Sequence, residues 1–452
     1  MGCQITNVIR FAWLEPGSRQ VEQDRKLCYT ASVESPEPIG GIVSMADSIR
    51  ILHTGDLHIG MENYGRLDPA TGLNGRVMDF LRRLSEVVDY ALENEVDLFL
   101  FAGDAYKSRD PNSTYRREFA RRIKRLADGG IPVVLLLGNH DLPAQERRAS
   151  SVEAFRTLDV PNVLVASADQ LHRLTTRRGE PIQVATVPYP IRQRLLAYEE
   201  HKDKTIAELD ALVQDLMAEN IRALAEQVDP ALPAVLLGHF SVSEARYGSE
   251  RTVMLGRDVV VLQSVLADPA WDYVALGHIH RHQELNRGQS PPIVYCGSLE
   301  RIDFGEESEP KGFVIAEVQR GRAEWRFQPV RARRFLTIRA DVREATDPLA
   351  ALLETIAGQE VADAVVRLIV QARPEQEGLV RDADVRRALS DAYYVAGINI
   401  EVERAYRQRL GGESPEELTP TELLTRYLES KDTPRERIEM LVQYAQEILV
   451  DF

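Results

Sequence analysis

Five short polar clusters in this 452-residue sequence each directly follow a run of apolar residues. Their side chains are carboxylates, amides and imidazoles, and a glycine precedes each cluster. The clusters are Asp56-Leu57-His58, Asp104, Asn139-His140-Asp141, His239 and His278-Ile279-His280. Because loops at the carboxyl ends of neighbouring strands converge on one crevice in open α/β sheets, we expect these clusters to meet although they are far apart in the sequence.

Seven of these side chains offer oxygen or nitrogen atoms that suit a divalent metal ion. The seven are Asp56, His58, Asp104, Asn139, His239, His278 and His280. Mixed oxygen and nitrogen ligands without a thiolate favour Mn²⁺, Fe or Zn²⁺ over Ca²⁺, which prefers oxygen alone. Seven ligands exceed what one ion takes with water still bound, so they indicate two ions that share a bridging carboxylate. Two such ions are a recurrent device for hydrolysing phosphate esters.

Short apolar runs alternate with helical patterns from Ile49 onwards, which is typical of an α/β fold. The predicted strands are RILHT, DLFLFA, PVVLLL, IQVATV, AVLLG, YVALG, IVYC, GFVIAEV and AEWRFQPV. Apolar residues recur every three or four positions in the predicted helices, at about 75–94, 113–127, 146–158 and 204–228. Helices separate the early strands and the later strands lie closer together, so the pattern predicts two stacked sheets with helices outside.

The sequence pattern divides the chain into five segments. Residues 1–44 lack periodicity and are expected to be a disordered extension, while 45–334 form the α/β domain. A β-α-β-α-β pattern over 335–406 predicts a small second module, and a breaker-rich linker follows at 407–420. Residues 421–452 form two amphipathic helices that are too short to build a core alone. Their apolar faces must pack either on the parent domain or on a partner protein.

The composition bears on the substrate and on the location of the protein. The formal net charge of −15 opposes nucleic-acid binding, since phosphate contacts call for a basic surface. A local basic patch or bound metal ions would offset this charge, and Arg76, close to the first polar cluster, is a candidate phosphate contact. No apolar run approaches the roughly 20 residues of a membrane span, so we expect a cytoplasmic protein without membrane contact. The three cysteines show no thiolate zinc motif.

The motifs DxH, GD, GNHD, GH and GHxH, in this order, resemble those of the calcineurin-like metallophosphoesterases. The resemblance implies a four-layer fold in which helices flank two stacked β-sheets. It also implies two metal sites that share Asp104, with the further ligands Asp56, His58 and His280 at one and Asn139, His239 and His278 at the other. His140 would be an unligated imidazole that stabilises the transition state or protonates the leaving oxygen. Asp141 either orients His140 or caps the following turn.

Residues 49–300, the second module and the terminal helix pair resemble the family of SbcD-type exonuclease subunits. This resemblance implies Mn²⁺-dependent hydrolysis of DNA in double-strand-break repair, with 3′–5′ exonuclease action on duplex ends and endonuclease action on single strands. It also implies a homodimer whose terminal helices bind an SbcC-type coiled-coil ABC ATPase. The second module would be a capping domain that positions DNA over the metals.

The sequence departs from the family's pattern after the GD motif, and its net charge leaves a second function open. Many relatives carry an aromatic residue and then His or Asp after the GD motif, whereas here Lys107 follows Tyr106. A charged Lys107 cannot bind a metal ion, although it could hold a phosphate oxygen. The alternative function is a phosphodiesterase or phosphatase for small nucleotides or phosphoproteins, which the acidic net charge favours.

Overall fold

The computed structural model describes residues 48–143, 149–191, 204–248, 258–402, 419–429, 431 and 433–449. The segment predicted to be disordered, 1–44, and nearly all of the predicted linker at 407–420 lie outside the described residues. Strands and helices are numbered below in chain order.

Six strands form the first sheet, in the order β14-β13-β1-β2-β3-β4. They are β1 (Ile49–Thr54), β2 (Leu98–Phe101), β3 (Val133–Leu136), β4 (Val163–Ala166), β13 (Gly312–Gln319) and β14 (Arg322–Pro329). Strands β1 to β4 are parallel, whereas β13 is antiparallel to both β1 and β14. The carboxyl ends of β1, β2 and β3 therefore lie along one edge.

A second six-stranded sheet has the order β11-β12-β10-β7-β6-β5. Its strands are β5 (Gln170–Thr175), β6 (Pro181–Val187), β7 (Ala234–His239), β10 (Tyr273–Gly277), β11 (Gln283–Glu284) and β12 (Ile293–Tyr295). The short strands β8 (Ser241–Val242) and β9 (Val260–Val261) pair with each other. All nine predicted strands are present, while β4, β5 and the two-residue strands were not predicted.

Side chains from the two sheets pack against each other, and helices cover the outer faces. Along β2, Leu98 and Leu100 point into the layer between the sheets, whereas Phe99 and Phe101 point towards the helices. This alternation follows from the two-residue period of a strand. Each fully buried side chain of this size contributes about 1.5–3 kcal/mol through the hydrophobic effect.

Helices cover both outer faces, so the predicted four-layer arrangement is confirmed. On the first sheet lie α1 (Gly75–Glu93) and α2 (Ser113–Asp128), and on the second lie α4 (Ile206–Ala225) and α5 (Gln263–Leu266). The helix predicted at 146–158 is shorter: among the described residues only α3 (Glu153–Thr157) is helical.

The second module is a separate three-stranded parallel sheet in the order β15-β16-β17. Its elements follow the predicted order: β15 (Phe335–Asp341), α6 (Pro348–Ala357), β16 (Val365–Ala372), α7 (Asp382–Ala388) and β17 (Tyr394–Val402). Apolar residues such as Leu352, Val366 and Leu368 give it a core of its own.

Two helices, α8 (Pro420–Glu429) and α9 (Arg435–Leu449), follow near the end of the chain and contact each other. They expose large apolar side chains, namely Tyr427, Met440, Leu441 and Tyr444. Among the described helices, none combines the length and the apolar character that a membrane span requires.

Candidate metal centre

The five polar clusters meet where strands of both sheets end. Asp56 and His58 follow β1, Asp104 follows β2, and Asn139 follows β3 in the first sheet. His239 ends β7, and His278 and His280 follow β10 in the second sheet. Ligand atoms of Asp56, His58 and His280 lie within 4.8 Å of one another, and so do those of Asp56, Asp104 and His239. The sequence analysis predicted this convergence, and six of the seven candidate ligands, all but Asn139, are buried.

Four candidate ligands have a backbone conformation that side-chain-bearing residues rarely adopt. Their φ angles are 48° for Asp56, 47° for His58, 58° for Asp104 and 92° for His278. Such residues cost about 1–3 kcal/mol each and persist only where the surroundings fix them. Hydrogen bonds do so here: His58 N donates to Asp104 O at 3.0 Å, and His278 N donates to Asp56 Oδ1 at 2.9 Å.

Two glycines allow this close approach of the loops. A Cβ atom at Gly138 would lie 2.1 Å from Asp104 Oδ1, and one at Gly103 would lie 2.5 Å from His239 Nδ1. Any other residue at either position would displace a candidate ligand, because real Cβ atoms do not come within 3.0 Å of other heavy atoms.

In one half of the centre, the Nε2 atoms of His58 and His280 face each other at 2.9 Å. Glu306 lies behind His280, and its Oε1 accepts a hydrogen bond from His280 Nδ1 at 2.9 Å. Burial alone would raise the pKa of Glu306, but Lys311 and His280 outweigh it and hold that pKa below its usual range. With Nδ1 donating to a carboxylate, the Nε2 lone pair of a neutral His280 points into the centre.

The other half contains Asn139, His239 and His278. The Oδ1 atom of Asn139 lies 3.1 Å from His239 Nε2 and 3.2 Å from His278 Nδ1. The outer nitrogens of both rings are occupied, because His239 Nδ1 donates to Ala102 O at 2.6 Å and His278 Nε2 donates to Asp258 at 2.7 Å. Burial would raise the pKa of Asp258, but His278 lowers it to about 2.

The arrangement of these side chains favours the binding of positive charge. In neutral rings, His239 Nε2 and His278 Nδ1 would each direct a lone pair at Asn139 Oδ1, which is itself a hydrogen-bond acceptor. Asp104 Oδ2 lies between the halves, 3.6 Å from His58 Nε2 and 3.5 Å from His239 Nε2. Burial lowers the pKa of His239, but Asp104 outweighs it and raises that pKa to about 9. The residues therefore attract a proton or a cation, and their oxygen and nitrogen donors suit divalent metal ions.

His140 stands at the more accessible side of the centre. Its backbone N–H donates to Asp104 Oδ1 at 2.9 Å, and its Nδ1 lies 2.6 Å from the carbonyl oxygen of Lys107. His140 also forms a possible ligand group with His58 and Asp104, so its unligated role stays a prediction. The carbonyl of Lys107 therefore orients the His140 ring. The sequence analysis had offered Asp141 for that role.

Asp141 joins two loops of the centre. Its carboxylate accepts hydrogen bonds from the backbone N–H groups of Asp104 at 2.7 Å, Ala105 at 3.1 Å and Gly138 at 3.2 Å. It therefore holds the loops after β2 and β3 together. Burial and the charge of Asp104 raise its pKa to about 7.

The predicted phosphate contact of Arg76 is wrong. Its side chain is fully buried, and its guanidinium donates to Asp79 at 2.8 Å, to the carbonyl of Arg301 at 2.6 Å and to Glu300. These acceptors leave it unavailable to a substrate. Lys107, by contrast, is exposed.

The outer partners Asp258, Glu306 and Lys311 were missed at the sequence level. Each lies in a connection between strands, outside any motif or apolar period. Their charge alone offers no signal, because most charged residues in such connections are solvated.

This chain is similar in sequence and in fold to known proteins. Residues 49–282, just over half of the chain, match the family of calcineurin-like phosphoesterases. Among solved structures, TT1561 of Thermus thermophilus aligns with a TM-score of 0.36 and 15% identity, covering 62% of this chain and 99% of that one.

Curated relatives include nuclease subunits and a repair protein. The SbcD subunit of the SbcCD nuclease of Escherichia coli is 27% identical over 286 residues, which cover 61% of this chain and 66% of that protein. The same subunit of Rhodobacter capsulatus is 29% identical, covering 73% and 78%. The DNA double-strand break repair protein Mre11 of Haloferax volcanii is 26% identical, covering 77% and 67%. The chain spans slightly less than two thirds of the Escherichia coli protein.

Proposed function

Because this chain belongs to the family of calcineurin-like phosphoesterases, we propose that it is a metal-dependent nuclease that hydrolyses DNA phosphodiester bonds. The observation that carries the proposal is the cluster of buried nitrogen and oxygen acceptors that face one another across Asp104. The names of its relatives, the SbcD subunit of the SbcCD nuclease and Mre11, favour DNA as the substrate. The expected activities are 3′–5′ exonuclease action on duplex ends and endonuclease action on single strands.

The proposal gives each side chain of the centre a task. Asp56, His58 and His280 would hold one divalent cation, and Asn139, His239 and His278 a second, with Asp104 shared. Two bound cations, which we expect to be Mn²⁺, would lower the pKa of a water molecule and stabilise the leaving oxygen. His140 would donate a proton to that oxygen: because its Nδ1 faces the Lys107 carbonyl, Nε2 is the nitrogen left for the transfer. The exposed Lys107 ammonium would hold a phosphate oxygen.

The decisive test compares substrates under one set of conditions. Duplex DNA, single-stranded DNA and a small chromogenic phosphodiester would be incubated with the protein and Mn²⁺. We expect hydrolysis of both DNAs, and no hydrolysis of any substrate by the Asp104→Asn variant. Efficient hydrolysis of the small ester without cleavage of DNA would instead support the alternative of a small-nucleotide or phosphoprotein phosphoesterase, which the net charge of −15 favours.

The three-stranded module is proposed to act as a capping domain that positions DNA. Two groups of contacts attach it beside the centre. Glu307 accepts hydrogen bonds from the backbone and the hydroxyl of Thr337 of the module at 2.7 and 2.5 Å. Arg333, which donates to Asp79 at 2.8 Å, also donates to Asp363 of the module at 2.6 Å. Because Glu307 adjoins Glu306, which touches His280, the module would lie next to the reacting phosphate.

The C-terminal helices are proposed to bind an SbcC-type ATPase, and the nuclease to form a homodimer. Tyr427, Met440 and Tyr444 are each more than half exposed on α8 and α9, which is a large apolar surface for two short helices. Deleting residues 415–452 should abolish co-purification with such an ATPase and leave the intrinsic nuclease activity in place. Undiminished co-purification would contradict the proposed role of these helices.

A further inference from the structure

A fully buried lysine lies directly behind the candidate metal centre. Lys311, the residue directly before β13, is 2% exposed, and buried lysines are rare unless they are paired. Its Nζ lies 2.8 Å from Glu306 Oε2, 3.0 Å from Glu309 Oε2 and 2.9 Å from Ser298 Oγ. Nζ also donates to the carbonyl oxygen of His280 at 3.3 Å, so this one ammonium group contacts both the backbone of a candidate ligand and the carboxylate behind it.

Glu306 connects this lysine to the ring of His280. Its Oε1 accepts from His280 Nδ1 at 2.9 Å, while Oε2 accepts from Lys311 and from the backbone N–H of Ile302 at 3.0 Å. Both oxygens are therefore held, and the carboxylate cannot rotate without breaking a contact. The relative exposure of Glu306 is 0%.

We propose that Glu306 and Lys311 are positioning residues that fix the orientation of His280 and thereby set the affinity of one of the two cation sites. The proposal rests on the proposed function only in taking His280 as a metal ligand. Lys311 keeps the Glu306 carboxylate in place, and the carboxylate directs the His280 Nε2 lone pair towards His58 and Asp56. A carboxylate behind a ligating histidine also increases the basicity of the ring.

Stability alone is a weak explanation for a buried ion pair such as this one. Replacing a buried ion pair with apolar residues of similar volume is often neutral or stabilising, because removing two charges from water is costly. The other half of the centre has a simpler arrangement. Asp258, behind His278, is held by the hydroxyl groups of Ser241 and Tyr189, with no lysine contact among the described residues. Among the described residues, a lysine paired with the carboxylate behind a candidate ligand is thus found on the His280 side only.

The test measures Mn²⁺ binding to the full chain in two backgrounds, using isothermal titration. In His278→Ala, the remaining cation depends on Asp56, His58 and His280, and adding Glu306→Gln should lower its affinity about 10- to 100-fold. In His280→Ala, the same Glu306→Gln change should alter the affinity of the remaining cation less than about 2-fold, because it acts through an absent ring. Equal losses in both backgrounds would overturn the proposal.

Two further variants separate positioning from folding. Glu309→Gln is the matched control, because Glu309 touches Lys311 but not His280, and it should change Mn²⁺ affinity little. The double variant Glu306→Gln/Lys311→Met removes both buried charges together and should unfold at a temperature close to that of the parent. If it regained parental Mn²⁺ affinity as well, the pair would be merely structural and the proposal wrong.

The experiment also distinguishes this proposal from the proposed function. Mn²⁺ titration involves no nucleic acid. A chain that showed the selective loss of affinity but cleaved only small esters would support the positioning role and contradict the DNA substrate.

Discussion

The layer between the two sheets and the edge where their strands end are built from the same strands but have opposite properties. In β2, Leu98 and Leu100 are fully buried in regular strand conformation, whereas Asp104, three residues after the strand, is a buried carboxylate with a φ of 58°. The layer contributes apolar burial, while the edge has strained backbone and clustered acceptors. Along each strand, the residues that stabilise the fold are therefore distinct from the residues of the metal centre. Apolar burial in the layer offsets the free-energy cost of the strained backbone at the edge.

This separation can be tested by substitution on each side. Changes at the edge should remove cation binding or catalysis and leave the free energy of unfolding nearly unchanged. Changes in the layer should do the reverse.

The largest effect is expected from Asp104→Asn. The amide has the shape of the carboxylate and can still accept the His140 N–H, but it removes the charge that both halves of the centre share. We expect loss of Mn²⁺ binding in isothermal titration and no detectable hydrolysis. Above the His239 pKa of about 9, where that ring is neutral in both states, chemical denaturation of the metal-free protein should show a free energy of unfolding within about 1 kcal/mol of the parent. A much less stable variant would mean that edge and layer are not independent.

The second prediction concerns His140→Ala. The substitution removes the expected proton donor but none of the seven predicted ligands, so both Mn²⁺ equivalents should still bind. The turnover number should fall about 10²- to 10⁴-fold. His172→Ala, which removes a half-buried histidine of β5 outside the centre, is the control and should retain activity. Loss of one Mn²⁺ equivalent in His140→Ala would identify His140 as a ligand.

The same division explains what could be predicted from the sequence. Alternating apolar residues such as those of β2 indicate a strand, and the polar cluster that follows, such as Asp104, then marks the edge. The strand pattern and the motif thus predict both the four layers and the convergence of the centre. Strand β4 (Val163–Ala166), which lies directly after a turn, was not predicted.

The outer partners of the centre could not be predicted in this way. Whether Arg76 meets a phosphate or a buried carboxylate depends on Glu300, which is far away in the sequence. Likewise, Glu306 and Lys311 gain their role only when the start of β13 is placed beside His280. No local pattern records such contacts, since they arise from how the loops pack.

The third prediction addresses the layer through Leu237→Ala. Leu237 is fully buried on β7, between the two sheets, and two residues before His239. Truncation should leave a cavity and lower the free energy of unfolding by about 3 kcal/mol, measured by chemical denaturation. Mn²⁺ affinity of the folded protein should stay within about 2-fold of the parent. A large loss of affinity would show that the layer also sets the geometry of the edge.

The smallest effect is expected from His53, a titratable residue inside the layer. Its side chain is fully buried, Nδ1 lies 3.1 Å from the Tyr273 hydroxyl, and burial lowers its pKa from the usual 6.5 to about 3. Between these two pH values the unfolded chain binds a proton at this position and the folded chain does not. The free energy of unfolding therefore falls as the pH decreases below 6.5, by about 1.4 kcal/mol per pH unit from this group.

Replacing His53 with glutamine should remove this contribution, because the amide stays neutral in both states. In denaturation experiments at pH 7, 6 and 5, the free energy of unfolding of the parent should fall faster with decreasing pH than that of the variant. His172→Gln is the matched control. Because His172 is only half-buried, its pKa is lowered less, and replacing it should change the pH dependence of the free energy of unfolding less than replacing His53 does. Parallel curves for parent and His53→Gln would mean that burial in the layer does not lower the pKa of His53. The layer would then not differ from the solvent in its effect on a titratable group, which would contradict the proposed contrast between layer and edge.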